Sequence, residues 1–180
     1  FIERIISILN QQKIDAIIFE DYDKGCITKS LIEKVVKLAE AKEIPTTVDP
    51  KKNNFLDFKN VDLFKPNLKE LKEGLNIEFD HRNMEELEEA IHQLEFNLQN
   101  RNTLITLSEF GVFINSPKEK HHIKAHHRDI TDVSGAGDTV ISVATLCLAL
   151  KQDLELIAEL SNLAGGLVCE NVGVMPIEKE

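Results

Sequence analysis

Residues 132–139 read Asp132-Val-Ser-Gly-Ala-Gly-Asp138-Thr139, and the run behind them, Val140 to Leu150, is almost wholly apolar. A run of that length predicts a buried helix rather than a strand. Gly135, Ala136 and Gly137 stand directly before Asp138, which falls in the opening turn of that helix, where negative charge is favoured. Small residues there leave the first amide N–H groups uncovered, and an anion can lie against them. A carboxylate beside an anion hole suits transfer of a phosphoryl group to a hydroxyl. Asp138 takes the hydroxyl proton, while the amides of residues 135–138 stabilise the charge on the moving phosphate. By itself the octet reads equally as a loop capping a buried helix. It is not a dinucleotide fingerprint, because Val140 stands where a third glycine is needed. The nucleotide loop ending in Gly-Lys-Ser/Thr is nowhere in the chain.

Composition narrows the class of function. The 180 residues are 42% hydrophobic and 29% charged, which describes a soluble globular protein, one domain or a large part of one, able to bury a core. A net charge of −10 argues against nonspecific nucleic-acid binding and against an anionic membrane surface. The longest apolar stretch is well short of the ~20 residues that a membrane helix needs. Cys26, Cys147 and Cys169 are odd in number and lack metal or redox spacing, so a reducing cytoplasm is expected. The chain opens on Phe1 within an amphipathic pattern (Ile2, Ile5, Ile6, Leu9), as the back part of a longer protein would.

Taken in order, residues 1–12 predict a helix and Asp15 to Phe19 a short buried strand. The strand ends in the polar loop Glu20 to Gly25, at the kind of strand terminus where open α/β sheets gather ligands. Thr28 or Ser30 caps a helix bearing Leu31, Ile32, Val35, Val36, Leu38 and Ala39 on one face, and Ser30-x-x-Glu33 fits a capping box. Thr46 to Val48 is the next strand, so a right-handed parallel crossover is expected. Residues 51–60 read as an irregular connection, Val61 to Lys65 as a third strand, and Asn67 starts a helix that stops at Gly74. Asn83 with Glu86 caps a helix with Met84, Leu87, Ile91 and Leu94 at helical spacing. Thr103 to Leu107 and Gly111 to Asn115 form a hairpin, followed by a strand around His121 to Ala125. Two helices close the chain, one after Gly137 and one from about Leu154 to Glu170. Alternating strands and helices predict a doubly wound, mostly parallel α/β sheet with helices on both faces and an antiparallel edge.

Several polar groups have two readings. Asn67-x-x-Glu70 is a capping arrangement by spacing alone. Lys24 and Lys51 follow strand ends and can meet phosphate as point charges, or lie on the surface as solvated lysines. Thr106-x-Ser108-Glu109-x-Gly111 is a hairpin turn. Gly165-Gly166 within a helix calls for close packing or a ligand. A zinc reading of His121, His122, His126 and His127 fails, because Cys or carboxylate partners are absent at useful positions.

The octet resembles the C-terminal signature of the ribokinase-like (PfkB) carbohydrate kinases, Asp-Thr-x-Gly-Ala-Gly-Asp, with Val133 in place of the Thr. Asp21-Tyr22-x-Lys24-Gly25, Val48-Asp49-Pro50-Lys51, Ser161 to Gly166 and Val172-Gly173 resemble the heptose-7-phosphate kinase branch, often fused to a nucleotidyltransferase in the bifunctional ADP-heptose synthase. Asp23 replaces an inner glycine of that branch, and Lys52 another. The resemblance covers essentially residues 1–180 and implies the C-terminal, nucleotide-binding part of one ribokinase-like kinase domain, its N-terminal part and lid lying upstream. It implies an ATP- and Mg²⁺-dependent sugar kinase acting on the anomeric hydroxyl of a heptose 7-phosphate. Asp138 is then the base, and Gly135, Ala136, Gly137 and Asp138 form the anion hole. Asn67, Thr106, Ser108, Gly111, Asp132, Gly135, Gly137, Asn162 and Gly165 line the nucleotide, and Asp21, Lys24, Lys51 and Asp138 meet the sugar phosphate. Glu70 assists Mg²⁺, through water. A homodimer of the full-length protein stays open, since pairing would use the upstream lid. Taken alone, the chain is expected to bind nucleotide weakly and to turn over little. Another sugar or nucleoside kinase of the same superfamily, or a non-catalytic nucleotide-binding module, would share most of these residues; a dehydrogenase fits least.

Overall fold

Six strands form one sheet in the order of the sequence, β1 (Ile17–Glu20), β2 (Thr46–Asp49), β3 (Leu63–Phe64), β4 (Asn102–Thr106), β5 (Val112–Asn115) and β6 (Lys120–Ile123). The first four are parallel, and β5 and β6 complete an antiparallel edge. The coordinates are a computed structural model and describe residues 1–126, 128 and 130–177. The helices are α1 (Ile2–Gln11), α2 (Lys29–Ala41), α3 (Leu68–Leu75), α4 (Met84–Leu98), α5 (Ala136–Ala149) and α6 (Leu154–Val168). Among the described residues no helix is long and apolar enough to cross a membrane.

Side-chain alternation along the strands divides the core in two. Phe19, Val48, Phe64, Ile105 and Phe113 point to one face and pack with α1 to α4. Leu63, Leu104, Val112 and Ile114 point to the other and pack with α5 and α6. Helices thus cover both faces, as the sequence predicts. The winding among these six strands runs one way, and the second face is covered by the two helices that follow the sheet. Thr47 belongs to that face, and its hydroxyl meets that of Thr145 on α5 at 2.6 Å.

Three local expectations change. Thr28, not Ser30, caps α2, accepting from the Leu31 amide at 3.3 Å, so the Ser30–Glu33 box does not form. Asn83 caps α4 through the Glu85 amide, while Glu86 accepts from the Asp80 amide, so that cap is not reciprocal either. Gly74 does not end α3, which continues to Leu75 and stops at Asn76 in the left-handed region. The glycine serves packing instead: a Cβ there would overlap the ring of Phe55. Phe55 and Phe58 anchor the irregular 51–60 segment, with Phe55 edge-on to Phe64 at 5.1 Å and Phe58 to Phe19 at 5.5 Å.

Candidate active site

Parallel strands that run the same way bring their carboxyl ends to one edge, and there the polar residues collect. Glu20 ends β1, Asp49 ends β2, and Lys65 follows β3. The first turn of α5 comes down on the same edge and carries Asp138. Ligand oxygens of Glu20, Asp49 and Asp138 lie within 4.8 Å of one another.

The turn into α5 has the shape that an anion needs. Gly135 sits at φ 79°, ψ −2°, a conformation open to glycine, and no side chain caps the helix. The Ala136 amide closes a turn onto the Val133 carbonyl at 3.2 Å, so it drops out of the expected four-residue hole. The amides of Gly135, Gly137 and Asp138 have no acceptor among the described residues. Gly137 lies against the ion pair beneath: a Cβ there would be 3.5 Å from Asp49 Oδ2 and 3.6 Å from Lys65 Nζ.

Electrostatics at this edge are dominated by like charges. Lys65, with its side chain 3% exposed, pairs with Asp49 Oδ2 at 3.1 Å and is the buried counter-charge. Asp49 Oδ1 is buried and accepts no hydrogen bond; the Lys51 ammonium stands 3.6 Å away. Burial, then the charges of Asp49 and Asp138, push the Glu20 carboxyl up to about 7, against the pull of Lys65 and Lys51. Tyr22 donates its hydroxyl to Asp138, 3.0 Å from Oδ1 and 2.9 Å from Oδ2. That bond, with some burial and the nearby carboxylates, raises the phenol to about 12.

The other residues singled out in the sequence fall into two groups. Some hold the site in shape. Asp21 is buried, with Oδ1 taken by the Asp23 amide and Oδ2 by the Asn54 side chain, both within 3 Å. It pins the loop after β1, which corrects the expectation that it meets substrate. Asp132 likewise spends one oxygen on Ser134 and the other on the Gly173 amide, tying the octet to the C-terminal turn rather than facing a nucleotide. Those donors, the Gly173 amide foremost, hold its carboxyl below the usual range. Asn162 gives its amide to the Lys124 carbonyl at 2.9 Å. Gly165 is explained by packing, since a Cβ would stand 2.6 Å from Val140 Cγ2 on α5.

The rest stand at the carboxyl edge. Asn67 and Glu70 form the full capping box, and Glu70 also pairs with Lys51. Glu70 places Oε2 on the Asn67 amide and Oε1 on Lys51, and each oxygen keeps a further lone pair. Glu20, Asp49 and Asp138 form a second carboxylate group on this edge that could hold a metal, one the sequence did not single out. Burial works against the charge on Lys51, but Glu70 and Asp49 outweigh it and its pKa is raised. Lys24 is exposed and makes no ion pair among the described residues. Asn67 bridges Thr106 at the end of β4. Ser108 adopts φ 54° in a single 3₁₀ turn, where a glycine would sit without strain, and a Cβ on Gly111 would overlap the Ile123 carbonyl.

Sequence reasoning left Glu20, Tyr22, Asp49 and Lys65 without a role. Their common signal is position, since each ends a strand of the sheet or lies within two residues of its end. Among the described residues no histidine joins a metal-capable group: His121 pairs with Glu119, and His122 bonds the Phe110 carbonyl. His127 lies outside the described residues.

Comparison with known proteins completes the site. The sequence pattern of the family described as pfkB family carbohydrate kinase matches residues 12–180. The chain is 36% identical over 178 residues to the bifunctional protein HldE of Koribacter versatilis (strain Ellin345), covering 99% of this chain and 36% of that protein. Its fold is similar to that of phosphofructokinase-2 from Escherichia coli in complex with potassium, with a TM-score of 0.84 at 19% identity over 96% of this chain and 56% of that one. It is similar also to ribokinase of Arabidopsis thaliana complexed with ribose and ATP, with a TM-score of 0.79 at 15% identity over 95% and 54%. At those identities the likeness to the two solved structures is one of fold.

Proposed function

The chain belongs to the pfkB family of carbohydrate kinases, and on that premise we propose that it carries the nucleotide-binding side of an ATP-dependent sugar kinase. The acceptor is the anomeric hydroxyl of D-glycero-D-manno-heptose 7-phosphate, in the supply of ADP-heptose. The observation that carries this reading is the half-buried Asp138 carboxylate, placed in the same helical turn as two amides that lack acceptors.

The chemistry follows from that placement. The acceptor O–H bond gives its proton to Asp138, the oxygen attacks the γ-phosphorus, and the bond from phosphorus to the β,γ-bridging oxygen breaks, releasing ADP. The Gly137 and Asp138 amides donate to the phosphoryl oxygens, where fixed dipoles act without reorganising. Lys51, held by Glu70 and Asp49, faces the same edge as a point charge for phosphate.

Asp49 Oδ1, buried and without a donor among three clustered carboxylates, is a donor set of hard oxygens that fits a divalent cation such as Mg²⁺. Glu20 and Asp49 would hold it beside Asp138, which stays free as the base, and it would supply counter-charge for the phosphates. The choice of heptose rests on Asp21-Tyr22-x-Lys24-Gly25 and Val48-Asp49-Pro50-Lys51, and on the likeness to HldE. A panel of heptose 7-phosphate, fructose 6-phosphate, ribose and adenosine tests it in the native protein. The expected result is the highest kcat/KM on the heptose. A higher value on another acceptor overturns the heptose assignment, and nucleotide binding without transfer to any acceptor overturns the kinase.

A further inference from the structure

Tyr22 is the single tyrosine of a chain that has no tryptophan, and the reaction described above gives it no part. Its backbone is fixed from both sides. The Asp21 amide before it donates to the Asp49 carbonyl at 3.1 Å, and the buried Asp21 carboxylate accepts from the Asp23 amide after it at 2.9 Å. The side chain, by contrast, is 53% exposed and belongs to neither core cluster. Among the described residues its hydrogen-bond partner is a single group, the Asp138 carboxylate, 116 residues away in the sequence.

That contact has a particular form. The hydroxyl stands almost equidistant from the two oxygens, at 3.0 and 2.9 Å, yet carries one proton. It therefore orients the carboxylate plane while leaving lone pairs on both oxygens for another hydroxyl. Asp138 needs such a restraint, because Glu20 and Asp49 crowd it within 4.8 Å and repel its charge. Among the described residues Tyr22 is the one side chain that donates to it.

We propose that Tyr22 is the positioning residue of the base: its hydroxyl aims the Asp138 carboxylate at the acceptor and stops the neighbouring acids from turning it away. The role rests on the kinase reading above. It predicts a loss in the rate of transfer rather than in nucleotide affinity or folding, since the ring supports no core packing.

Two measurements test it. In the 180-residue chain all aromatic emission above that of phenylalanine comes from Tyr22, and a phenol bonded to an ionised carboxylate is quenched because it transfers its proton on excitation. Asp138→Ala should therefore brighten that emission. In the native protein, Tyr22→Phe should lower kcat roughly 10- to 100-fold, as small misplacements of a reacting group do, with KM for ATP and the melting temperature unchanged. In an Asp138→Asn background the same change should cost nothing further, because the group it positions has gone. Emission unaltered by Asp138→Ala shows that the contact does not form and overturns the proposal. So does full kcat in Tyr22→Phe, or an equal loss in both backgrounds. Absence of transfer in the unaltered protein is a different failure: it removes the kinase reading and this role together.

Discussion

At the amino end of β4 the Glu95 carboxylate is surrounded by donors; at the carboxyl edge of the same sheet Glu20, Asp49 and Asp138 are surrounded by one another. Glu95 accepts from the Thr103 hydroxyl at 2.8 Å and from the Asn115 amide at 2.9 and 3.0 Å, and Asn100 in turn donates to Thr103. Every partner is neutral and both carboxylate oxygens are used. The other group has one deeply buried counter-ion, Lys65, and its Asp49 Oδ1 accepts no hydrogen bond, with the Lys51 ammonium 3.6 Å away. Neutral donors gathered around one carboxylate specify which strands and helices meet, with Asn100 Oδ1 the buried atom of that network left without a partner among the described residues. A crowd of like charges lowers stability and persists where a ligand completes it. The two ends of one sheet thus separate a carboxylate held by neutral donors from the like-charged group at the proposed site.

The sharpest way to break that contrast is Asp138→Asn. Transfer should fall roughly a thousandfold or more, while the shift in melting temperature caused by ATP remains. If transfer survives, the acid edge is as structural as the Glu95 end. Glu95→Gln should do the reverse. It turns an amide N–H toward Thr103 or Asn115, at a cost of about 1–3 kcal/mol in stability measured by urea unfolding, with kcat untouched. Unchanged stability would remove the comparison's structural half.

Gly135→Ala probes the backbone on which the acid edge depends. The residue has φ 79°, and a Cβ would press on Val174 Cγ1 at 3.1 Å. About 1–2 kcal/mol of stability should be lost, and nucleotide should bind more weakly as the turn into α5 opens. A variant that unfolds at the unaltered denaturant midpoint would show that the turn tolerates a side chain.

The smallest effect is in the pH dependence. The Glu20 carboxyl is raised from 4.5 to about 7, so the folded state holds that proton more tightly than the unfolded chain does. Its contribution to stability is complete below pH 4.5 and is lost as the pH rises through about 7. Because Glu20 is only half-buried and water screens it, the loss amounts to about 1 kcal/mol. Glu20→Gln should flatten the curve of melting temperature over that window in the presence of a chelator. If the unaltered protein and the variant run parallel, the three carboxylates do not repel as their spacing implies.

Much of this was legible along the chain. Of the apolar positions read on one face of α2, residues 31, 32, 35, 36 and 39 are buried and Leu38 is partly buried. The Asn67–Glu70 box closes as its spacing predicts, and the hairpin of β4 and β5 pairs antiparallel. Asp138 lies in the first turn of α5. Other readings failed where a distant residue decided the matter. Gly74 looked like a stop until Phe55 arrived from the preceding segment to need the space. Asp21 and Asp132 were read as ligand contacts, but Asn54 in one case and Gly173 in the other take their oxygens. Glu70 was read as a metal helper, and its pairing with Lys51 was not legible in the sequence.

From sequence alone came the order of the elements, the caps, the apolar faces and the acid at the head of α5, because each depends on residues within about one turn or one pleat of each other. Which charges share an edge was settled only when the parallel strands brought their carboxyl ends together. Glu20, Asp49 and Lys65 are then neighbours of a helix that begins more than 70 residues later, and Tyr22 meets Asp138 across 116 residues. Coulomb and hydrogen-bond energies act over a few ångströms in space and are indifferent to separation along the chain, so the chain order cannot reveal them until the fold has set those distances.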